Sequence, residues 1–345
     1  MIDSHLNHFE LHTKLGTGSV GEVWRAQVDG RTVAVKFINH ADDPRQRQSF
    51  ETEIAALRCL DHPAVPALYD SDLTCERPYI MMEFIAGEPF HCVIADGAIW
   101  QIPLERRLAI LDQIAAAAEH LHERGLIHRD IKPANIIGVD EPHLIDYGIA
   151  AEVGAEVSPA GTPFYMFPGE QAPSAAHDVF GFALTAYEFL FGVHAIFTAQ
   201  DGGLPRDEVR ALARARLSES TWRLPSRVPA HELPYDLRGV ELARLDALFA
   251  RAFDWQASEP MTLMQIGAEL RAIILTADNQ PYLDGMPDMV AALDDTGIGE
   301  LPAAATTPPE LPPRVRRIDA WLALAIFSGA AILLIVILFG LGGRT

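Results

Sequence analysis

The chain predicts an α+β protein of two lobes with a cleft between them, on three observations. From about Phe9 to Gly87 apolar and polar residues alternate, punctuated by Gly and Asp, which is the pattern of strands and hairpins. From Leu104 to about Ile274 the apolar spacing becomes helical. Strands gathered first and helices second place the sheet and the helices in separate parts of one α+β unit.

Taken in order, the β-like part contains one helical interruption, Arg45 to Leu60, with Phe50, Ile54, Leu57 and Leu60 on one side. The later part divides into helices at Leu104–Glu123, His177–Phe191, Arg206–Leu217, Ala243–Phe253 and Met264–Ile274. No repeat period is evident. With 345 residues there is room for one large two-lobed domain plus extensions. A formal charge of −20 argues against a general nucleic-acid binder, whose domains carry a basic surface. Three cysteines (Cys59, Cys75, Cys92) without a CxxC pair fit free thiols in a reducing compartment. The Met1 end has no charged-then-apolar segment, so a cleavable secretion signal is not expected. His5, His8 and His12 lack a matching Cys or carboxylate set and read as a solvated segment rather than a metal cluster.

After about Thr276 the helical period fades, and Pro, Gly, Asp and Thr accumulate up to residue 317. This reads as a flexible tether, stiffened at Pro308-Pro309 and Pro312-Pro313; a packed extension of the helical lobe is the competing reading. The next stretch, 318–341, contains the uncharged run Ala320–Leu341, long enough to cross a hydrocarbon core of ~30 Å at ~1.5 Å per residue. It predicts a single transmembrane helix, and Arg314, Arg316 and Arg317 before it keep the Met1 side in the cytoplasm at the inner membrane. Few residues follow the span, so a tail anchor with no external sensor domain is expected. Ala325 and Gly329 have the small-xxx-small spacing of close-packing membrane helices, which fits a homodimer; small residues facing lipid are the alternative.

Three motifs carry chemistry. Gly16, Gly18 and Gly21 lie in Gly16-Thr17-Gly18-Ser19-Val20-Gly21-Glu22-Val23, where missing Cβ atoms let backbone N–H groups approach phosphate oxygens. A β-like stretch rather than a helix follows, which disfavours a dinucleotide site. Val33-Ala34-Val35-Lys36-Phe37-Ile38 reads as a strand with Ala34 and Lys36 on one face and Val33, Val35 and Phe37 on the other. His128-Arg129-Asp130-Ile131-Lys132-Pro133-Ala134-Asn135 sets a carboxylate, an ammonium and a carboxamide within one short loop.

That last string resembles the catalytic loop of serine/threonine protein kinases, and the glycine-rich and VAVK stretches resemble the same family's nucleotide-binding parts. The resemblance covers roughly residues 9–275, with a β-rich N-lobe over about 9–85 and a helical C-lobe over about 86–275, the bilobal protein-kinase fold. It implies ATP and Mg²⁺ as cofactors and proteins with Ser/Thr acceptors as substrates. Lys36 would reach the α/β-phosphates, paired with Glu53, which stands nine residues before His62-Pro63; Glu51 would face solvent. Val23, Ala34 and Ile137 would sandwich adenine, with Met82 as gatekeeper and the backbone of Glu83 and Ile85 at the adenine edge. Asp130 would accept the proton of a substrate hydroxyl, Lys132 would neutralise the migrating phosphoryl, and Asn135 and Asp146 would hold Mg²⁺. Asp146-Tyr147-Gly148 stands where the family has DFG, and Tyr147 would stack with Leu57, Leu68 and His128, its hydroxyl needing a partner. Ser158 is the candidate phosphosite to pair with Arg129, and Thr162 belongs to the substrate-facing loop beside Asp130 and Lys132.

The resemblance frays at Tyr165-Met166-Phe167-Pro168-Gly169-Glu170, which has an extra Gly before the Glu. The family pairs that Glu with an Arg preceding a late Pro, but Glu259 precedes Pro260 here. A different partner for Glu170, or a more exposed segment, is therefore expected. The reading is a membrane-anchored serine/threonine kinase of bacterial type that phosphorylates itself, at Ser158 or in Thr306-Thr307. The rivals are a pseudokinase-like nucleotide-binding scaffold and a small-molecule kinase of the same fold.

Overall fold

The computed structural model describes residues 9–157 and 160–275. Ser158, the tether over 276–317 and the apolar stretch over 318–341 lie outside the described residues. Among the described residues no helix is long and apolar enough to cross a membrane.

The first lobe is built on a five-stranded antiparallel sheet in the order β1-β2-β3-β5-β4. Its strands are β1 (Glu10–Thr17), β2 (Gly21–Val28), β3 (Arg31–Ile38), β4 (Leu68–Asp72) and β5 (Tyr79–Glu83). Alternation along β3 works as the sequence predicts. Val33, Val35 and Phe37 are at most 1% exposed and pack with Ala26, Tyr79 and Met81 on one face of the sheet. Ala34 and Lys36 turn to the other face, where the cleft lies. Helix α1 (Pro44–Cys59) covers that face; Asp43 caps it by accepting from the Arg45 amide at 2.8 Å. Its buried residues Phe50, Glu53, Ile54 and Leu57 recur at helical spacing.

The second lobe follows α2 (Phe90–Ala95) and α3 (Leu104–His122). Three two-stranded contacts then shape the loops of the cleft floor: β6 (Leu126–Ile127) pairs with β9 (Ala151–Glu152), and β7 (Ile136–Ile137) with β8 (His143–Leu144), while an isolated bridge joins Pro89 to Ile137. Helix α4 (Ala175–Phe191) is buried from Asp178 onwards on every side, as the central helix of a large helical lobe is. Against it pack α3, α6 (Leu242–Ala252) and α7 (Leu263–Ile274), while α5 (Arg206–Ser218) packs against the turn Pro163–Tyr165. The main core runs continuously from α1 through α3 and α4 to α7, so both lobes share one apolar interior.

The helices predicted from periodicity are all present, with no end displaced by more than two residues. The pattern gives no sign of α2, whose six residues are too few to display a period. Arg107 is also unexpected: it sits within α3, fully buried, donating to the carbonyls of Phe189 (2.7 Å) and Ile102 (3.2 Å) and pairing with Asp236. Burial pushes its guanidinium down to about 9.

Candidate active site

The cleft is built from strand β3 and helix α1 above and from the loops around β6 to β9 below. Lys36 Nζ lies 2.6 Å from Glu53 Oε2 and 3.1 Å from Asp146 Oδ1. One ammonium thus ties the sheet to helix α1 and to the floor of the cleft. Burial alone would lower the Lys36 pKa, but the carboxylates of Asp146 and Glu53 more than offset this, so the ammonium is charged. Glu53 is pushed upward by its burial, against the pull of Lys36. Lys36 chiefly holds Asp146 down to about 2, and that side chain stays half exposed towards the cleft. Glu51 faces solvent beside Arg47, as its position in α1 predicts.

The glycines between β1 and β2 have separate uses. Gly18 donates to the Gly21 carbonyl at 2.7 Å and closes the turn. A Cβ on Gly21 would come within 2.4 Å of the Phe37 carbonyl oxygen, so this glycine serves the close approach of β2 to β3. Open space surrounds Gly16, and Gly18 has only the Gly21 carbonyl nearby; these two leave room for phosphates. Ala34 is the register partner of Met82 on β5, and Val23 that of Lys36 on β2, so Val23, Ala34 and Met82 lie close together on the sheet. Below, Ile137 lies beside the link between the lobes through its bridge to Pro89. Glu83 spends its own N–H on the Ala67 carbonyl at 2.9 Å, so a donor to a base must come from further along, where Ile85 stands.

Beneath the cleft the loop from His128 to Asn135 is knitted to its surroundings. Lys132 Nζ is 2.6 Å from Asp130 Oδ2, and it also donates to the Thr162 hydroxyl. The Thr162 amide donates to Asp130 Oδ1 at 2.9 Å. Asn135 Nδ2 donates to the Asp130 carbonyl at 2.9 Å and to its carboxylate at 3.1 Å, which turns the carboxamide oxygen away from Asp130. The loop is pinned from α4: Asp178 accepts from the amides of His128 (2.8 Å) and Arg129 (2.7 Å) and bonds His122 Nε2 at 2.8 Å. Burial alone would raise the Asp178 carboxyl; these hydrogen bonds, from His122 first, hold it below the usual range.

His128 is structural, as expected. The Asp130 amide donates to its Nδ1 at 3.3 Å, leaving Nε2 to donate to the Ile145 carbonyl at 3.3 Å, and burial pushes its pKa down. Its ring packs edge-on to Tyr147 at 5.0 Å. The Tyr147 hydroxyl finds its partner in the Leu144 carbonyl at 2.9 Å, so Tyr in place of Phe is accommodated. Leu57 is buried in the same core, and Leu68 packs against it.

Two holding groups escape a reading of the sequence. Ser49 on α1 donates to the Gly148 carbonyl at 2.8 Å, fixing the turn that carries Asp146, and His122 supports Asp178. Neither belongs to a spaced motif. Of the two alternatives for Glu170, the different partner is found: Arg214 lies 3.3 Å away, beside a side chain that is 78% exposed. The segment before it is not the more exposed one, since Phe164 to Gly169 are buried.

The donor set suits a magnesium-bound triphosphate. Asp146 offers a depressed, half-exposed carboxylate and Asn135 a carboxamide oxygen, and Mg²⁺ is ordinarily held by one or two such side chains, with water and phosphate completing the shell. Among the described residues there is no cluster of three His, Cys, Asp or Glu of the kind that holds a metal without a nucleotide.

A sheet lobe above a helical lobe, with a Lys–Glu–Asp cluster facing an Asp–Lys–Asn loop, is a two-lobed phosphotransferase architecture. A family profile described as the protein kinase domain matches residues 9–247, and the chain belongs to that family. Serine/threonine-protein kinase pkn2 of Myxococcus xanthus is 32% identical over 220 residues, 58% of this chain and 26% of its own length. Serine/threonine-protein kinase PknA of Mycobacterium tuberculosis is 33% identical over 217 residues, covering 57% of this chain and 49% of its own. The chain spans half or less of the length of these relatives.

Proposed function

We propose that the chain is a serine/threonine protein kinase that transfers the γ-phosphoryl group of ATP to protein hydroxyls. The observation that carries this reading is the meeting of Lys36, Glu53 and Asp146 above the loop where Asp130, Lys132 and Thr162 are bonded together. In the proposed reaction a Ser or Thr oxygen forms its bond to the γ-phosphorus while the bond from that phosphorus to the β–γ bridging oxygen breaks, leaving ADP. Asp130 orients the hydroxyl and takes its proton. Lys132 places positive charge beside the moving phosphoryl group, and Lys36 holds the other phosphates of the nucleotide. Mg²⁺, held by Asn135 and Asp146, supplies further neutralisation of phosphate charge when bound. The names of the relatives in Myxococcus and Mycobacterium support Ser/Thr as the acceptor.

The activity is tested by incubating the chain with γ-labelled ATP, Mg²⁺ and a generic protein acceptor, then hydrolysing the product. Phosphoserine and phosphothreonine are the expected labelled residues. Nucleotide binding without label on protein would favour the scaffold reading instead, and label on a small molecule alone would favour the third.

Two finer proposals accompany this one, both resting on sequence. The kinase is anchored to the inner membrane through 318–341, with its lobes in the cytoplasm, where the helix also offers a homodimer contact at Ala325 and Gly329. It phosphorylates itself at Ser158 or Thr306-Thr307. Deleting 318–341 should release the protein from carbonate-washed membranes, and phosphopeptide mapping after incubation with ATP should find one of the three hydroxyls modified. Membrane retention after the deletion, or a map with none of them, would remove the corresponding proposal.

A further inference from the structure

Helix α5 carries arginines at positions 206, 210 and 214, four residues apart and therefore on one face. All three reach the same stretch of chain. Arg206 Nη2 donates to the Gly161 carbonyl at 3.4 Å, Arg210 Nη2 to the Gly169 carbonyl, and Arg214 Nη1 to the Pro168 carbonyl at 3.2 Å.

Pro168 and Gly169 are buried and belong to no helix or strand. Their carbonyls therefore need donors from elsewhere, because a buried carbonyl left unpaired keeps the full cost of losing its water. Among the described residues those donors are Arg210 and Arg214. Gly169 is what makes the turn possible: a Cβ there would come within 2.3 Å of both Phe167 Cε1 and Gln171 Oε1. The Gln171 end could yield, but the Phe167 ring is buried and stacked on His177 at 4.6 Å. Glu170 meanwhile points to solvent, and its contact with Arg214 is the exposed kind of ion pair that contributes little.

We propose that Arg210 and Arg214 are positioning residues for the segment against which the acceptor protein docks. They hold the chain at Pro168 and Gly169 by its main-chain oxygens, a task Glu170, turned to solvent, does not perform. The proposal rests on the kinase reading, since it assigns the segment to the acceptor. The chain held at Pro168 and Gly169 leads back within a few residues to Thr162, which bonds both Asp130 and Lys132. Slackening it alters the surface beside the reacting hydroxyl and leaves the nucleotide side, built on β3 and α1, in place.

The test compares the full chain with its Arg210→Ala, Arg214→Ala, Arg210→Lys and Glu170→Gln variants in two measurements. In steady-state kinetics, Arg210→Ala is expected to raise KM for a peptide acceptor roughly 10-fold, with KM for ATP changed less than about two-fold. Arg214→Ala should act in the same direction, Arg210→Lys should recover part of the loss, and Glu170→Gln should resemble the parent. In hydrogen exchange, the amides of residues 161–170 should exchange faster in Arg210→Ala while those of β3 and α1 do not change. Unchanged acceptor KM, or equal rises in both KM values, would overturn the proposal; the second result reports general damage to the fold. If the unaltered chain transfers no phosphoryl group, the kinase reading fails and exchange alone decides the clamp: faster exchange confined to 161–170 sustains it, and unchanged exchange overturns it.

Discussion

The nucleotide side of the cleft and the segment from Gly161 to Glu170 are held by different chemistry. On the nucleotide side, side chains bind side chains: one ammonium joins Glu53 and Asp146. Across from it, arginines on α5 bind the carbonyls of Gly161, Pro168 and Gly169. The first arrangement needs particular residue types at particular spacings. The second needs only a long cation and a carbonyl, and every residue carries a carbonyl. One half is therefore tied to particular residue types, while the other can be met by any long donor that reaches the carbonyls.

The sharpest way to break this contrast is to remove the shared cation. Lys36→Met leaves Glu53 buried without its partner and frees Asp146, and phosphoryl transfer should fall roughly 10²–10³-fold with acceptor KM little changed. Initial rates at saturating acceptor would check this; a loss smaller than about tenfold would mean that the carboxylates do not depend on Lys36. Asp178→Asn comes next. It weakens the acceptor for two loop amides and His122 at once, so unfolding in urea should show a loss of about 1–3 kcal/mol, accompanied by slower turnover.

A pH series distinguishes the same groups without mutation. Asp146 titrates near 2, and Asp178 is also held below the usual carboxylate range. A depressed folded-state pKa adds stability that is complete above the unfolded value, near pH 4, and is lost as the pH falls through the folded value. Acid unfolding should therefore steepen below pH ~4, and less so in Asp178→Asn. Asp146 is half exposed and screened by water, so the buried Asp178 should account for more of the loss. An unchanged acid limb in Asp178→Asn would contradict the assignment. The smallest effect belongs to Tyr147→Phe, which gives up the bond to the Leu144 carbonyl. It should cost about 0.5–1.5 kcal/mol in thermal or urea unfolding and leave transfer intact.

Much of the fold is legible in the sequence because alternation and helical spacing report which faces are buried, as β3 and α1 illustrate. The pairs among β6 to β9 are not legible, since two-residue strands have no period. At the site, Lys36, Glu53, Asp130, Asn135 and Asp146 fall where their motifs place them. Ser49, His122, Arg210 and Arg214 do not stand out, because three of them work through carbonyls and the fourth through a carboxylate far along the chain. Arg107 reads as a solvated cation on a helix until the Phe189 carbonyl and Asp236 are seen to enclose it.

The proposed role of Asp130 is to accept the hydroxyl proton during phosphoryl transfer in this cleft. Its most direct test is the rate of label transfer from ATP to protein in Asp130→Ala beside the unaltered chain, with nucleotide binding followed in parallel. Transfer should fall roughly 10²–10⁴-fold while nucleotide affinity stays within about two-fold. Equal transfer by the two proteins would contradict it.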